Sequence, residues 1–311
     1  DKDPDRPLEE KESVRWIDGY RRVNELAETL GDTRLTYVAD READIFDLFV
    51  EAPCPETAAD WLVRGQHNRV LADGRTLRQH LAAAPVLAET TFERPAGHGV
   101  KARVVHQQIK ALRLTLPAPR RPDRQLPDVE VTALLATEPH PPAGEEPVEW
   151  LLLTNLPVDT PAQALEKLSW YLCRWQIEVF FRILKSGCRI EKLQLEKIER
   201  LEPALAFYMI IAWRVLFLTM LGRECPEMPC DVVFDTAEWH AVYIVSERKA
   251  PPETPPTLDS MVRTIAGLGG FLNRKSDGFP GPQTLWIGLQ RAADFVMAME
   301  AQRGLGEGSC V

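Results

Sequence analysis

The sequence lacks paired cysteine motifs, an excess of positive charge and an uninterrupted long apolar run. Six cysteines are present, yet none forms a Cys-x2-Cys pair with a matching partner. This spacing argues against a zinc site or a disulfide framework, and we predict free thiols in a reducing cytoplasm. The net charge of −9 argues against capture of DNA by the whole protein surface. It does not exclude a local basic channel, because binding follows the local electrostatic potential.

The most apolar stretch, residues 204–221, is interrupted by Arg214 and is not flanked by the residues that favour a membrane interface. We therefore predict that it forms a buried core helix and that the chain does not span a membrane. An apolar fraction of 45% and a charged fraction of 27% are ordinary for a soluble globular protein. A length of 311 residues is compatible with two or three domains.

The first part of the chain has the pattern of an α/β unit. Residues 12–30 have helical apolar spacing, residues 35–39 are a short β-rich run ending at Asp40, and residues 43–50 again favour a helix. An acidic residue therefore lies at the carboxyl end of a predicted strand. Active-site groups commonly lie at such strand ends.

Residues 61–136 are typical of short strands separated by turns, and we interpret them as a β-rich insertion. The predicted strands are residues 61–64, 89–94, 101–116 and 129–135. Residues 150–154 predict a return to a core strand, followed by a helix. Residues 204–222 and 257–300 predict further helices, the latter with a glycine turn at residues 267–270.

Four polar residues share one predicted helix, namely Tyr171, Arg174, Glu178 and Lys185. A capping-box pattern with proline at the first helical position precedes them at residues 160–163, and Gly187 is a suitable stop. At ~100° per residue the four side chains fall within roughly 60° of one another. A phosphate-handling site explains this mixture, because a carboxylate holds a divalent metal while Arg and Lys hold phosphate oxygens. The alternative is a solvated face with an i,i+4 salt bridge between Arg174 and Glu178.

The spacing Y-x2-R-x3-E-x6-K resembles the signature of bacterial insertion-sequence DDE transposases of the IS-four group. A second match is the segment YVADREADI, residues 37–45, which is similar to the strand end that carries the second catalytic aspartate of that family. Weaker likenesses occur at residues 10–13, 64–69, 150–154 and 268–271. The resemblance covers nearly the whole chain in the right order.

The resemblance implies that Asp40 and Glu178 are catalytic carboxylates that hold Mg2+, with Mn2+ as a substitute. It implies DNA contacts from a basic and aromatic set: Tyr171, Arg174, Lys185, Arg64, His67, Arg69 and Trp150. Alternatives remain open for several of these residues. Asp40 has the local sequence of a helix N-cap, and Glu42 and Asp44 lie close enough to replace it as the catalytic acid. Trp150 could be a core or strand-edge residue, and we expect Trp175 to pack in the core.

The implied fold is α/β, a partial ribonuclease-H-like catalytic core interrupted by the β-rich insertion and followed by a helical C-terminal region. The expected boundaries are residues 1–54 for the first part of the core, 55–149 for the insertion, 150–224 for the second part and 225–311 for a dimerisation region. The implied partners are double-stranded DNA, as transposon ends and target, and a second copy bound through residues 257–300. The expected location is the bacterial cytoplasm, in association with the nucleoid.

The family's first catalytic aspartate has no clear counterpart. The aspartates before Asp40 are Asp1, Asp3, Asp5, Asp18 and Asp32, and none lies in an apolar β run. The chain also begins with Asp1 instead of Met, which suggests entry in mid-protein. We therefore expect the isolated chain to be inactive. An alternative function is a truncated transposase remnant that dimerises with an intact copy and inhibits it.

Overall fold

The computed structural model describes residues 12–31, 33–51, 59–94, 101–121 and 124–307, with side chains as far as residue 302. The chain divides into two compact units, residues 1–174 and 175–311, and each is described by itself. Several sequence predictions lie outside the described residues. They concern the start of the likeness at residues 10–13, the aspartates Asp1, Asp3, Asp5 and Asp32, and the thiols of Cys54 and Cys310.

The first unit is built on one mixed sheet of six strands in the order β1-β2-β6-β5-β4-β3. The strands are β1 Thr36–Ala39, β2 Asp60–Arg64, β3 Ala88–Arg94, β4 Arg103–Leu116, β5 Val129–Thr137 and β6 Glu149–Thr154. Strand β2 pairs parallel with β1 and antiparallel with β6. The predicted strands are confirmed to within two residues at each end. The strands of the predicted insertion continue the same sheet as β1 and β6, and the insertion boundaries stay a prediction.

Four helices accompany the sheet: α1 Val14–Thr29, α2 Phe46–Glu51, α3 Leu77–Ala83 and α4 Pro161–Cys173. Side chains of β2 alternate between two apolar clusters, as the period of a strand requires. Trp61 packs with Tyr20 of α1 and Phe49 of α2. The neighbouring Leu62 packs in the other cluster with Leu168 of α4. The sheet is therefore covered by apolar side chains on both faces, and the predicted α/β class is confirmed at that level.

The second unit is helical. It contains α5 Trp175–Arg182, a π-helical turn at Ile183–Gly187, α6 Ile198–Glu224, α7 Thr236–Glu247, α8 Leu258–Leu268 and α9 Pro282–Glu307. Its core combines Phe180, Val215, Trp239, Val262 and Leu285. The helices predicted within residues 257–300 are confirmed, but the break between them is longer than the predicted glycine turn and covers residues 269–281. Gly270, just after α8, has the positive φ that a glycine turn requires. Helix α7 was not predicted.

Helix α6 differs from the prediction of a buried helix. Ala212, Val215 and Leu218 are buried on one side, whereas Phe207, Ile210 and Trp213 are 68%, 63% and 57% exposed. The prediction was wrong because the sequence is apolar all round, although its buried residues occupy only one stripe. By length and composition α6 is also the one helix, among the residues described, that could cross a membrane. A core helix of a soluble protein can meet the same criterion.

The predicted single helix over the Tyr171–Lys185 signature was also wrong in part. Helix α4 has the expected capping box, in which the Gln163 N–H donates to Thr160 Oγ1 at 3.3 Å and the Thr160 N–H donates to Gln163 Oε1 at 3.1 Å. It ends at Cys173, however, and α5 begins at Trp175. From Ile183 the turn is π-helical, with the Cys188 N–H donating to the Ile183 carbonyl at 2.8 Å. A π turn has more residues than an α turn, so the ~100° step does not hold as far as Lys185.

Candidate functional site

The carboxylate of Asp40 lies at the carboxyl end of strand β1. Asp40 caps a 3-10 turn, Arg41–Ala43, and accepts a hydrogen bond from the Arg41 N–H. The N-cap alternative is therefore part of its local role. Its Oδ2 lies 3.5 Å from Nη1 of Arg174, and the side chain is 38% exposed. Strand β1 and the end of α4 thus bring an accessible acid beside a fixed cation.

Two arginines and a tryptophan surround the ring of Tyr171, which is buried. Arg64 Nη1 donates to the Tyr171 hydroxyl at 3.3 Å. The guanidinium carbons of Arg64 and Arg174 lie 6.0 Å and 5.8 Å from the ring centroid, within the range of a cation–π interaction. The Trp150 ring lies 6.2 Å away. Five predicted site residues, including Asp40, therefore meet within the first unit.

Trp150 lies in strand β6 and is half-buried. Its ring stacks on Phe92 of β3, with centroids 5.5 Å apart and planes 25° apart. It also packs against the cluster that contains Leu168. β6 is an inner strand of the sheet, so the core alternative describes the packing of Trp150. Its partial exposure leaves a surface on which a base could stack.

The two alternative acids have other partners. Glu42 is exposed and lies 2.6 Å from Arg15. Asp44 is buried, and its Oδ2 accepts the backbone N–H groups of Gln66 at 2.6 Å and His67 at 2.8 Å. Both acids are engaged by groups other than those around Tyr171. Asp40 is the acid of this segment that adjoins the aromatic and basic cluster.

His67 and Arg69 lie on the loop that follows strand β2. The His67 side chain is exposed. Nη2 of Arg69 lies 2.6 Å from Oδ1 of Asp44, and its side chain is 15% exposed. The Arg69 guanidinium also lies over the Phe49 ring, 5.3 Å from its centroid. A buried carboxylate and an aromatic face therefore hold this cation in place.

Glu178 and Lys185 belong to the second unit. Glu178 is exposed on α5. Lys185 Nζ lies 3.8 Å from Glu191 Oε1, and both side chains are more than 60% exposed. An exposed pair of this kind contributes little to stability. Trp175 is 63% exposed, so the expectation that it packs in the core was wrong.

The metal predicted for Asp40 and Glu178 needs more ligands than either unit supplies. In the part of the chain that the structure describes, no three His, Cys, Asp or Glu side chains are grouped closely enough to hold an ion. Each carboxylate oxygen of Asp40 already faces a positive or donor group, the Arg41 N–H or Arg174. Asp40 and Glu178, one carboxylate in each unit, are therefore a partial ligand set for a divalent ion.

Two protein-family models match the chain. The family described as transposase DDE domain matches residues 19–214. The family described as transposase Tn5 dimerisation domain matches residues 210–309. The chain therefore belongs to the DDE transposases, and the second match places it among those of the Tn5 type. This membership confirms the predicted resemblance to DDE transposases, while the IS-four group stays a prediction. It implies a nucleotidyltransferase-type enzyme of a divalent-metal-dependent family.

Proposed function

We propose that the chain is a DNA transposase that cuts and joins DNA strands at transposon ends by metal-dependent phosphoryl transfer. The observation that carries the proposal is the pairing of Asp40 with Arg174 beside the Tyr171–Arg64 contact. Phosphoryl transfer needs negative charge for metal binding and positive charge for the phosphate within one site. The proposed reaction course is nicking, hairpin formation by the 3′-hydroxyl, reopening and joining to target DNA.

Asp40 and Glu178 are the proposed ligands of Mg2+, for which Mn2+ would substitute. When bound, the metal supplies activation of the attacking oxygen and stabilisation of the leaving oxygen. The chain's own cations hold the DNA backbone: Arg64, Arg174 and Lys185 contact phosphate oxygens, and Tyr171 adds a hydroxyl. His67 and Arg69 hold the DNA end.

The proposal includes the finer features of the fold and the assembly. The sheet of the first unit is proposed to be ribonuclease-H-like, with residues 55–149 as its insertion. Trp150 is proposed to stack on a flipped base. The working form is proposed to be a homodimer on double-stranded transposon ends and target DNA, joined through residues 257–300, in the bacterial cytoplasm near the nucleoid.

The test compares Asp40→Asn with Glu42→Gln in the whole protein that the gene encodes, because we propose that the isolated chain is inactive. Both changes turn a carboxylate into an amide, and the two residues lie on the same turn. The substrate is duplex DNA that carries the ends of the element encoding the chain, with Mg2+ or Mn2+. We expect Asp40→Asn to lower strand cleavage by roughly a thousandfold with little loss of binding, and Glu42→Gln to cleave normally.

Cleavage by Asp40→Asn at the normal rate would overturn the proposal. The alternative is an inactive, dimerising inhibitor. It would be supported if the protein without substitutions binds the ends, does not cleave them and inhibits an active transposase.

A further inference from the structure

Asp44 is a buried acid that the proposed chemistry does not use. Its side chain is fully buried, and its partners come from the loop that follows strand β2, more than twenty residues further along the chain. Oδ2 accepts two consecutive backbone N–H groups, those of Gln66 and His67. Oδ1 faces Arg69 at 2.6 Å. One carboxylate therefore holds both the backbone and a side chain of this loop.

Several groups contact the Arg69 guanidinium and favour the orientation that it has in the structure. Besides the Asp44 carboxylate, its Nη2 donates to the Asp44 carbonyl at 3.2 Å. Its guanidinium lies over Phe49, which stacks on Trp61 in the core with ring centroids 4.6 Å apart. The Arg69 side chain therefore packs on Phe49 of α2, which itself packs on Trp61 of β2.

The same loop borders an open cleft of about 560 Å3. His67, Arg69 and Arg121 line it, together with Asp44 and several apolar side chains. Arg69 is present there as an ion pair with Asp44. Arg121 is paired with Asp47, a second buried acid of α2. Arginine binds phosphate oxygens through its fork of N–H groups, so Arg69 and Arg121 are the groups of this cleft that suit a phosphate backbone.

We propose that Asp44 is a positioning residue, which fixes loop 65–69 and aims Arg69 at the DNA end. The inference rests on the proposed function, since it assigns Arg69 to the handling of that end. The physical reason is preorganisation. An arginine already fixed by a buried carboxylate loses little side-chain freedom when it binds a phosphate. A loop fixed through two backbone N–H groups likewise presents His67 in one place.

The two functions of Asp44 can be separated by substitution. In Asp44→Asn the remaining carbonyl oxygen can accept both N–H groups, but the amide nitrogen then faces Arg69 and the ion pair is lost. In Asp44→Ala both functions are lost. Asp47→Asn is the matched control, because Asp47 is equally buried at 4% exposure and is also paired with arginine. It makes no hydrogen bond to loop 65–69 among the contacts described for it.

The first measurement is amide hydrogen exchange at Gln66 and His67 in the full chain without DNA. We expect exchange at least about tenfold faster in Asp44→Ala and nearly unchanged in Asp44→Asn and Asp47→Asn. Unchanged exchange in Asp44→Ala would overturn the role of Asp44 in holding the loop.

The second measurement is the ratio of affinities for transposon-end and random duplex DNA. We expect Asp44→Asn and Arg69→Ala each to lower this ratio about tenfold, and the double variant to lower it no further, because Asp44 acts through Arg69. Additive losses, or a full ratio in Asp44→Asn, would overturn the inference. If the protein without substitutions binds transposon ends no better than random DNA, the proposed function is contradicted instead. The hydrogen-exchange measurement would still decide whether Asp44 holds the loop.

Discussion

At the scale of the residue, the surroundings of each acid decide its role. Asp40, Glu42 and Asp44 occupy alternate positions of one short segment. Glu42 is an exposed partner of Arg15, Asp44 is buried against a loop, and Asp40 stands beside Arg174. The same functional group, a carboxylate, therefore has three different environments within five residues. In the sequence of this segment, Asp40 is favoured as the catalytic acid only by its position at the end of the strand. The contacts in the structure distinguish all three acids.

A residue-scale prediction concerns Arg64, whose guanidinium contacts the Tyr171 hydroxyl and ring. We expect Arg64→Ala to weaken binding of transposon-end DNA and to reduce the slope of log affinity against log salt by about one, the value for one lost phosphate contact. Arg64→Lys should keep the slope, since it keeps the charge, but should lower affinity, since it loses the fork of donors. Binding measured at several salt concentrations tests both expectations.

The control for Arg64 is Arg75→Ala. Arg75 is 59% exposed and pairs with Asp73 on a turn between β2 and α3, and none of the contacts described for it involves the Tyr171 cluster. It should leave affinity and slope unchanged. If Arg64→Ala and Arg75→Ala behave alike, Arg64 does not contact the DNA.

At the scale of the element, regular patterns were predictable and irregular ones were not. The strands β4 and β5 follow from β-rich runs bounded by proline turns, and the capping box at Thr160 follows from four residues. The break at Arg174 and the start of the π turn at Ile183 are not marked by glycine or proline, and Gly187 comes only at the end of that turn. Helix α7 contains a run of β-branched and aromatic residues, 242–245, which resembles a strand. Tertiary packing of Trp239 and Val242 decides in favour of a helix.

Some features of the candidate site could likewise be predicted from the sequence, and others could not. Asp40 and the residues around Tyr171 could be selected from local motifs. The pairing of Asp44 with Arg69 could not, because it joins residues that only the fold of α2 onto the end of β2 brings together. Long-range ion pairs have no local sequence pattern.

An element-scale prediction concerns the crossing of α8 and α9, where two glycines allow close contact. A Cβ at Gly288 would lie 1.9 Å from the Ile265 carbonyl oxygen, and one at Gly269 would lie 1.8 Å from that of Thr284. We expect Gly288→Ala to lower the free energy of unfolding by about 1–3 kcal/mol, because the backbones must move apart. Thermal or urea unfolding measures this loss.

Gly267→Ala is the matched control for the crossing. Gly267 lies within α8, and a Cβ there would meet no atom within 4 Å. Alanine favours a helix over glycine by roughly 1 kcal/mol, so this change should be neutral or stabilising. Equal destabilisation by both changes would contradict the close approach of α8 and α9.

At the scale of the whole molecule, charged surface and exposed apolar surface favour different kinds of partner. The net charge is −9, so the proposed DNA contacts depend on local cations, such as those around Tyr171 and Arg69. The second unit instead has exposed apolar side chains on α6 and α9, including Phe207, Trp213 and Met297. Apolar surface of this kind favours association with another protein surface over association with DNA.

The final prediction concerns the dimer. Met297 is 60% exposed on α9 and lies inside the match to the Tn5 dimerisation domain, residues 210–309. We expect Met297→Glu to weaken self-association by at least about tenfold, because a carboxylate buried in an apolar interface without a partner is strongly unfavourable. Sedimentation equilibrium of the full chain, with and without transposon-end DNA, measures the association constant. Leu26→Glu is the control, since Leu26 is 51% exposed on α1 and lies outside that match. If Leu26→Glu weakens association and Met297→Glu does not, the dimer forms through the first unit and the assignment of residues 257–300 is wrong.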